Sequence, residues 1–403
     1  MKNLLCTVLI LLSGLSMFGQ TFRTVGYLPA YRWSSIDNID FSQLTHVCYS
    51  FANPDGSGDF SFSEDITPLK TKAHASGCKV FASIGGGAAS AATENAYMNL
   101  TVSSELPGFV HQLMNYLRAE GVDGIDVDLE HDLVRMSTYN DFVIQLSDSV
   151  HAAGMEISAA MARYMSTTVS VTAIDALDFV NVMSYDQTGS WAPTQPGPHS
   201  TYEAAVLDVD YWKNTKQQSL DKIVLGVPFY GYEFKSDGSA VSAWTWCDIV
   251  GTYPSNVDDD QATTTAGIVY YNGKKTIVKK TQYVLDQKAG GIMIWELGQD
   301  CNDENSLLNV ITTTKQATLK AQALTTSKSV NVFPNPVQDV LNVSGQSRFF
   351  SCQITDLTGN VVWTSSRLDQ IELQINVETL HAGVYLLSVS DDGGTMTKRF
   401  VKK

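Results

Sequence analysis

The chain has 403 residues, 44% hydrophobic and 10% aromatic, enough apolar matter for one large core and a smaller one beside it. Its 42 acidic residues outnumber 27 basic ones, for a formal charge of -15. That surplus repels nucleic acid and anionic membrane surfaces, so a neutral partner is expected and a nucleic acid is not.

The first stretch, MKNLLCTVLILLSGLSMFGQ, carries one Lys, an apolar run from Leu4 to Leu15 and a small residue, Gly19, before Gln20. It reads as a secretory signal over residues 1–19, too short to span a bilayer as a mature helix. Cys6 lies inside the apolar run with no small-residue box ahead of it, which argues against lipid attachment. No later run approaches the roughly 18 to 20 apolar residues that a membrane helix needs, so no span is expected and the mature chain should be soluble. Cys48 and Cys78 fall in apolar, strand-like runs and read as small buried hydrophobes. Cys247 and Cys301 lie in polar surroundings, where either free thiols or a bridge suits an exported chain, and no cysteine spacing resembles a zinc site.

From there, short β-rich runs alternate with helical patterns. The expected strands are Phe22 to Leu28, Leu44 to Ala52, Cys78 to Gly85, Val122 to Glu130, Met155 to Met161, Asp178 to Asp186, Lys222 to Tyr230 and Gly290 to Glu296. The clearest helical stretches between them are ELPGFVHQLMNYLRAEG, STYNDFVIQLSDSVHAAG, TYEAAVLDVDYWKNTKQQSL and TIVKKTQYVLDQKAG, several closed by Gly. Strands that alternate with helices predict an α/β fold, a (β/α)8 TIM barrel over residues 20–311; an open doubly wound sheet would not need as many units. Between the last two strands, GSAVSAWTWCDIVGTYPSNVDDDQ reads as an elaborated loop over one barrel end.

A Thr-, Ser- and Lys-rich stretch over residues 312–328 reads as a linker. Residues 329–403 then show short alternating strands with Gly, Asn and Asp turns, the pattern of a small all-β sandwich.

The chemistry concentrates in DGIDVDLE, Asp123 to Glu130. Side chains two apart share a face of a strand, so Asp126, Asp128 and Glu130 line up on one side and Ile125, Val127 and Leu129 on the other. In a barrel the apolar side packs on the helices, and the carboxylates climb the interior toward the C-terminal mouth, where barrel active sites lie. Like charges this close raise one another's pKa, so one carboxyl should keep a proton; Glu130, nearest the mouth, is the expected general acid. A carboxylate metal site is a rival reading, without supporting His or Asp at the other strand ends.

DGIDVDLE matches the DGxDxDxE signature of glycoside hydrolase family 18, the chitinase family, at Asp123, Gly124, Asp126, Asp128 and Glu130. SIGG at Ser83 to Gly86, MSYD at Met183 to Asp186 and MIWE at Met293 to Glu296 resemble three further family motifs, in the same order. The one departure, Leu129 where many members carry Trp, falls on the helix-facing side. The resemblance implies substrate-assisted hydrolysis, with retention, of β-1,4-linked N-acetylglucosamine in chitin or its oligosaccharides, without cofactor or metal. It implies Glu130 as acid, Asp128 as stabiliser of an oxazolinium, Asp126 as its holder and Tyr185 as the acetamido partner. Asp186 would position the sugar above a floor formed by Trp295, and the MSYD and SIGG motifs add Met183 and Gly86 to the substrate-binding set. Aromatic residues near strand ends, foremost Tyr27 and Tyr230 and then Trp33, Phe51, Trp191 and Trp244, are candidates for sugar subsites, with Arg163 and Tyr164 behind them. A relatively short insertion predicts an open cleft, endo action and weak processivity in a monomer. An N-glycan-cutting endo-β-N-acetylglucosaminidase and a chitin-binding lectin are the alternatives, the lectin disfavoured by the presence of Glu130.

The tail, with VFPNPVQDVLNV, DLTGNVV, AGVYLLSV and the basic end KRFVKK, resembles the sorting domain of the type IX secretion system. This implies the type IX machinery as a partner and export across both membranes of a Gram-negative bacterium, to the medium or the cell surface. A sugar-binding sandwich is the alternative, with Trp363 and Tyr385 as its main aromatics.

Overall fold

The computed structural model describes residues 22–326, 330–391 and 394–403; the signal segment expected over residues 1–19 lies outside the described residues. Eight parallel strands close into a barrel: Arg23–Pro29, His46–Ser50, Lys79–Gly85, Gly124–Asp128, Glu156–Met161, Phe179–Val182, Ile223–Pro228 and Gly291–Trp295. The first strand closes the ring by pairing with the second at Val25 opposite His46 and with the eighth at Val25 opposite Met293.

Strand alternation splits the packing into two cores. Ile125, Val127 and Leu129 point outward into one apolar cluster with Leu113, Leu117, Phe142 and Leu146 from the surrounding helices. Val25, Tyr27, Cys48, Phe81, Ala160, Phe179, Val224 and Met293 fill the barrel itself. The helix Leu106–Glu120 illustrates why these segments coil as they do. Phe109, Val110, Leu113, Met114 and Leu117 recur at helical spacing on its buried side, Pro107 sits in the first turn, and Gly121 ends it at φ 64°. At the barrel's lower end Glu156 accepts from Lys79 and pairs with His46 at 3.1 Å.

Several local expectations are corrected. The fourth strand ends at Asp128 and the sixth at Val182, so Glu130 and the MSYD residues sit on loops beyond their strands. At the third strand's end Gly86 N–H donates to the Asp128 carbonyl at 2.7 Å, where Gly85 and Gly86 leave the extended conformation at φ 101° and 94°. The first strand is followed among the described residues by 3-10 turns over Ala30–Asn38 and Phe41–Gln43, not by an α-helix. The helix Lys274–Gln287 is closed by Lys288 in the left-handed region at φ 55°, ahead of the glycine expected there. The stretch read as an elaborated loop is an antiparallel sheet of Tyr230–Lys235, Val241–Thr245, Gln261–Thr263 and Gly267–Tyr270, with a short helix Trp246–Thr252.

The segment expected to be a linker is helical over Leu307–Thr326. Its Ala, Leu, Lys and Gln are good helix formers. Asp300 accepts the Leu307 and Leu308 N–H groups at its start, and Leu307, Leu308 and Ile311 are buried. Thr313 and Thr314 return their hydroxyls to the carbonyls of Asn309 and Val310, so they do not compete with the helix.

The chain divides into two compact units between Thr314 and Lys315. The second holds five antiparallel strands: Val330–Phe333, Val340–Asp356, Val361–Asn376, Gly383–Asp391 and Gly394–Lys402. Register shifts along Val340–Asp356 bend that long strand. The core beneath includes Leu341, Val343, Phe349, Ile354, Leu387, Val389 and Phe400. Tyr385 belongs to this core and Trp363 packs against it, so neither is an open platform for a sugar.

Candidate active site

The three carboxylates sit in different electrical surroundings. Asp126 is fully buried and accepts from Tyr27 at 2.7 Å and Ser83 at 2.8 Å on Oδ2. On Oδ1 it accepts from Ser158 at 2.6 Å and Asn181 at 3.1 Å. Ser83 and Ser158 stand beside Asp126 in strand register. Burial pushes the Asp126 carboxyl up, and the four donors pull it part of the way back. With two hydrogen bonds on each oxygen, Asp126 has its acceptor capacity committed to neighbouring side chains.

Asp128 stands above it, 3% exposed, and its Oδ1 has no hydrogen-bond partner. Burial pushes its carboxyl well above the usual carboxylate range, and the charges of Glu130 and Asp126 push it further. Glu130, less buried, is also raised, by burial first. The proton expected on Glu130 alone therefore belongs to the Asp128–Glu130 pair, with the stronger upward push on Asp128.

Three glycines let the backbone come this close. Gly85 and Gly86 hold φ near 101° and 94°, and a side chain on Gly85 would strike the Asp128 carbonyl. Gly86, expected to bind substrate, instead faces the Phe51 ring and holds the fourth strand's end. It is Gly87 that meets the acid: its N–H bonds Glu130, and an added methyl would lie 2.5 Å from Glu130 Oε1.

Around this axis the structure brings together Tyr185, Met183, Met293 and Trp295 at the top of the barrel's inner core. The Tyr185 hydroxyl lies 3.7 Å from Met293 Sδ, a weak acceptor that leaves it available to a better one. Trp295 is only partly buried and stacks on Phe51 at 6.2 Å between ring centroids. Two aromatic assignments change. Tyr27 is buried with its hydroxyl committed to Asp126, and Tyr230 is buried with its hydroxyl donating to Asp186, so both serve carboxylates and neither presents a face to a sugar. Trp33 packs edge-on against Tyr49, and the Trp244 indole donates to Glu233. Trp191 and Tyr164 remain well exposed. Arg163 pairs with Asp208, which also accepts from Ser184 inside the MSYD motif, so it braces that loop.

Ser158 and Asn181 escape the sequence reading, and Ser83 enters it only as part of SIGG, with no role assigned. Each is a polar residue in the apolar interior of its strand, and that is the available signal. Cys48, Cys78 and Cys352 are buried free thiols; Cys247 and Cys301 are free thiols whose side chains touch.

A closed parallel barrel with a graded column of carboxylates rising to its C-terminal mouth defines the class: a barrel built for acid–base chemistry. The chain belongs to the glycosyl hydrolases family 18, whose model matches residues 23–300. The model of the secretion system C-terminal sorting domain matches residues 331–403, and the second unit is such a domain. A family 18 chitinase from the chitin utilization locus of Flavobacterium johnsoniae is 34% identical, covering 74% of this chain and 95% of its own, with a TM-score of 0.69. A chitinase of Bacteroides thetaiotaomicron, 24% identical over 73% of this chain and 96% of its own, shares the fold with a TM-score of 0.63. A probable chitinase of Drosophila melanogaster is 24% identical over 68% of this chain and 70% of its own length. Among the described residues no helix is long and apolar enough to cross a membrane.

Proposed function

We propose that this chain is an exported retaining hydrolase that cuts β-1,4-linked N-acetylglucosamine bonds within chitin or its oligosaccharides. The observation that carries the reading is the unpartnered, buried Oδ1 of Asp128, set between a saturated Asp126 and a raised Glu130. Glu130 gives its proton to the glycosidic oxygen as that bond breaks. The substrate's acetamido oxygen attacks the anomeric carbon from the other face, a route that needs no enzyme nucleophile. Asp128 accepts the acetamido N–H through its free oxygen and stabilises the positive charge that develops, while Tyr185 donates to the acetamido oxygen. Trp295 supports the ring and Asp186 orients it. Water then opens the oxazolinium, returning a proton to Glu130 and preserving the anomeric configuration.

The similarity to the Flavobacterium chitinase and the sorting domain support the substrate and the export route. The test compares wild type with Glu130→Gln on a hexamer of N-acetylglucosamine and on a high-mannose glycopeptide. Wild type should cut the hexamer to mixed shorter products, and the variant should lose roughly 10²–10⁴-fold in kcat. Near-normal cleavage by the variant sinks the acid assignment, and cleavage of the glycopeptide alone sinks the substrate.

A further inference from the structure

We propose that His199 is a positioning residue for Asp186, donating from Nδ1 to that carboxylate and fixing it at the edge of the cleft. The proposal rests on the hydrolase reading above and adds to it a residue outside the four motifs.

His199 lies at the far end of the loop that leaves the sixth strand. Its carbonyl accepts from Gln187 N–H at 3.0 Å, which closes the loop and returns the imidazole to Asp186. The ring is 1% exposed, and neither of its nitrogens has a hydrogen-bond partner. The Tyr230 and Tyr232 rings hold it from two directions, each 5.0 Å away between centroids. Burying an imidazole with both nitrogens unsatisfied costs stability unless one is used. Asp186 is within reach, with Nδ1 3.4 Å from its Oδ1. That distance is slightly long for a hydrogen bond, as contacts of a resting site often are before substrate tightens them.

Asp186 has reason to need the support. It is a non-glycine residue at φ 58°, an uncommon left-handed backbone, and its side chain is 39% exposed at the cleft. Tyr230 donates to its Oδ1, and Tyr232 also interacts with it. Both are neutral donors. Among the described residues His199 is the one basic side chain in ion-pair contact with Asp186, and donation there requires the Nδ1–H tautomer or the imidazolium. The Asp186 charge acts on Glu130 and Tyr185, so its orientation bears directly on the reacting groups.

The test uses His199→Leu, His199→Asn and His199→Gln in the full chain, assayed on the hexamer beside wild type and Glu130→Gln. Asn places an amide nitrogen near the Nδ1 position, whereas Gln reaches toward Nε2. Loss of a hydrogen bond to a charged group should lower kcat roughly 10- to 100-fold in the Leu variant. KM should stay within about twofold, because the lost interaction matters most as charge develops. Asn should recover most of the loss and Gln should not, with the melting temperatures of all three close to wild type. A Leu variant with wild-type kcat, a loss confined to KM, or an Asn variant no better than Gln overturns the proposal. If the Leu variant does not fold, the comparison of Asn with Gln decides. An inactive wild type overturns the hydrolase reading itself, a result separate from an active wild type with an active Leu variant.

Discussion

Asp126 draws hydrogen bonds from four different strands, through Tyr27, Ser83, Ser158 and Asn181, and so cannot turn without breaking several at once. Asp128 lacks a hydrogen-bond partner on Oδ1, so that oxygen carries no such restraint. One carboxylate is clamped on both oxygens and its neighbour is not. The coupling gives a pH prediction with a definite sign. In the proposed mechanism Glu130 acts as an acid only while protonated, so activity should fall as pH rises through its raised pKa. The charge of Asp186 helps to raise Glu130, so Asp186→Asn lowers the proton affinity of Glu130 and moves that alkaline limb to lower pH. Asp128→Asn should lose roughly 10²–10³-fold in kcat, since the free oxygen would no longer stabilise the developing charge. A pH–rate profile on the hexamer checks both; a limb that moves to higher pH contradicts the coupling. The alternation of Asp126, Asp128 and Glu130 was legible in the sequence because a strand has a period of two. The partners of Asp126 were not, since a lone Ser or Asn in an apolar run becomes meaningful only when barrel closure puts it beside a carboxylate.

Among the elements, the barrel strands and the longer helices were legible from periodicity, while their ends were not. Termination depends on local backbone such as Gly85 and Gly86, which turn to positive φ at the third strand's end. The helix Leu307–Thr326 was missed for a different reason: its composition resembles a linker, and its start depends on Asp300 and a buried first turn. The fifth strand carries a stability prediction. Lys79 and His46 hold Glu156 down to about 2, below its usual range, with the His46 hydrogen bond the largest cause. A carboxyl depressed on folding stabilises above its unfolded pKa and is lost as pH falls toward the folded value. Glu156→Gln should therefore cost about 1 kcal/mol near neutral pH, discounted because the side chain is about one-third exposed to screening solvent. Thermal melts should show the cost fading between pH 4.5 and 2; a constant difference across that window would remove the electrostatic explanation.

At the scale of the whole molecule, the barrel cores and the core of the second unit share no residue. A chain that ends at Thr326 should keep hexamer kcat within about twofold and melt as the barrel does in the full chain, because the barrel's core clusters are built entirely from residues of the first unit. In a cell with the type IX machinery the same truncation should leave the enzyme inside the outer membrane, as activity and immunoblots of cell fractions would reveal. Activity in the medium without the tail would refute the export role. The sequence made both units legible through composition and turn chemistry; the helix across their boundary blurred only the junction.

The network around Asp126 also records whether the ring has closed. The four side chains that hold it lie 99, 43, 32 and 55 residues away along the chain. Few of these contacts are local, and loops of that length close late and slowly. Ser83, Ser158 and Asn181 come from strands that pair in sequence with or next to that of Asp126, whereas Tyr27 comes from the first strand, so the fourth donor arrives only when the ring closes. The bond from Tyr27 to Asp126 thus ties the first strand of the barrel to the fourth, and its loss would register a break in the ring.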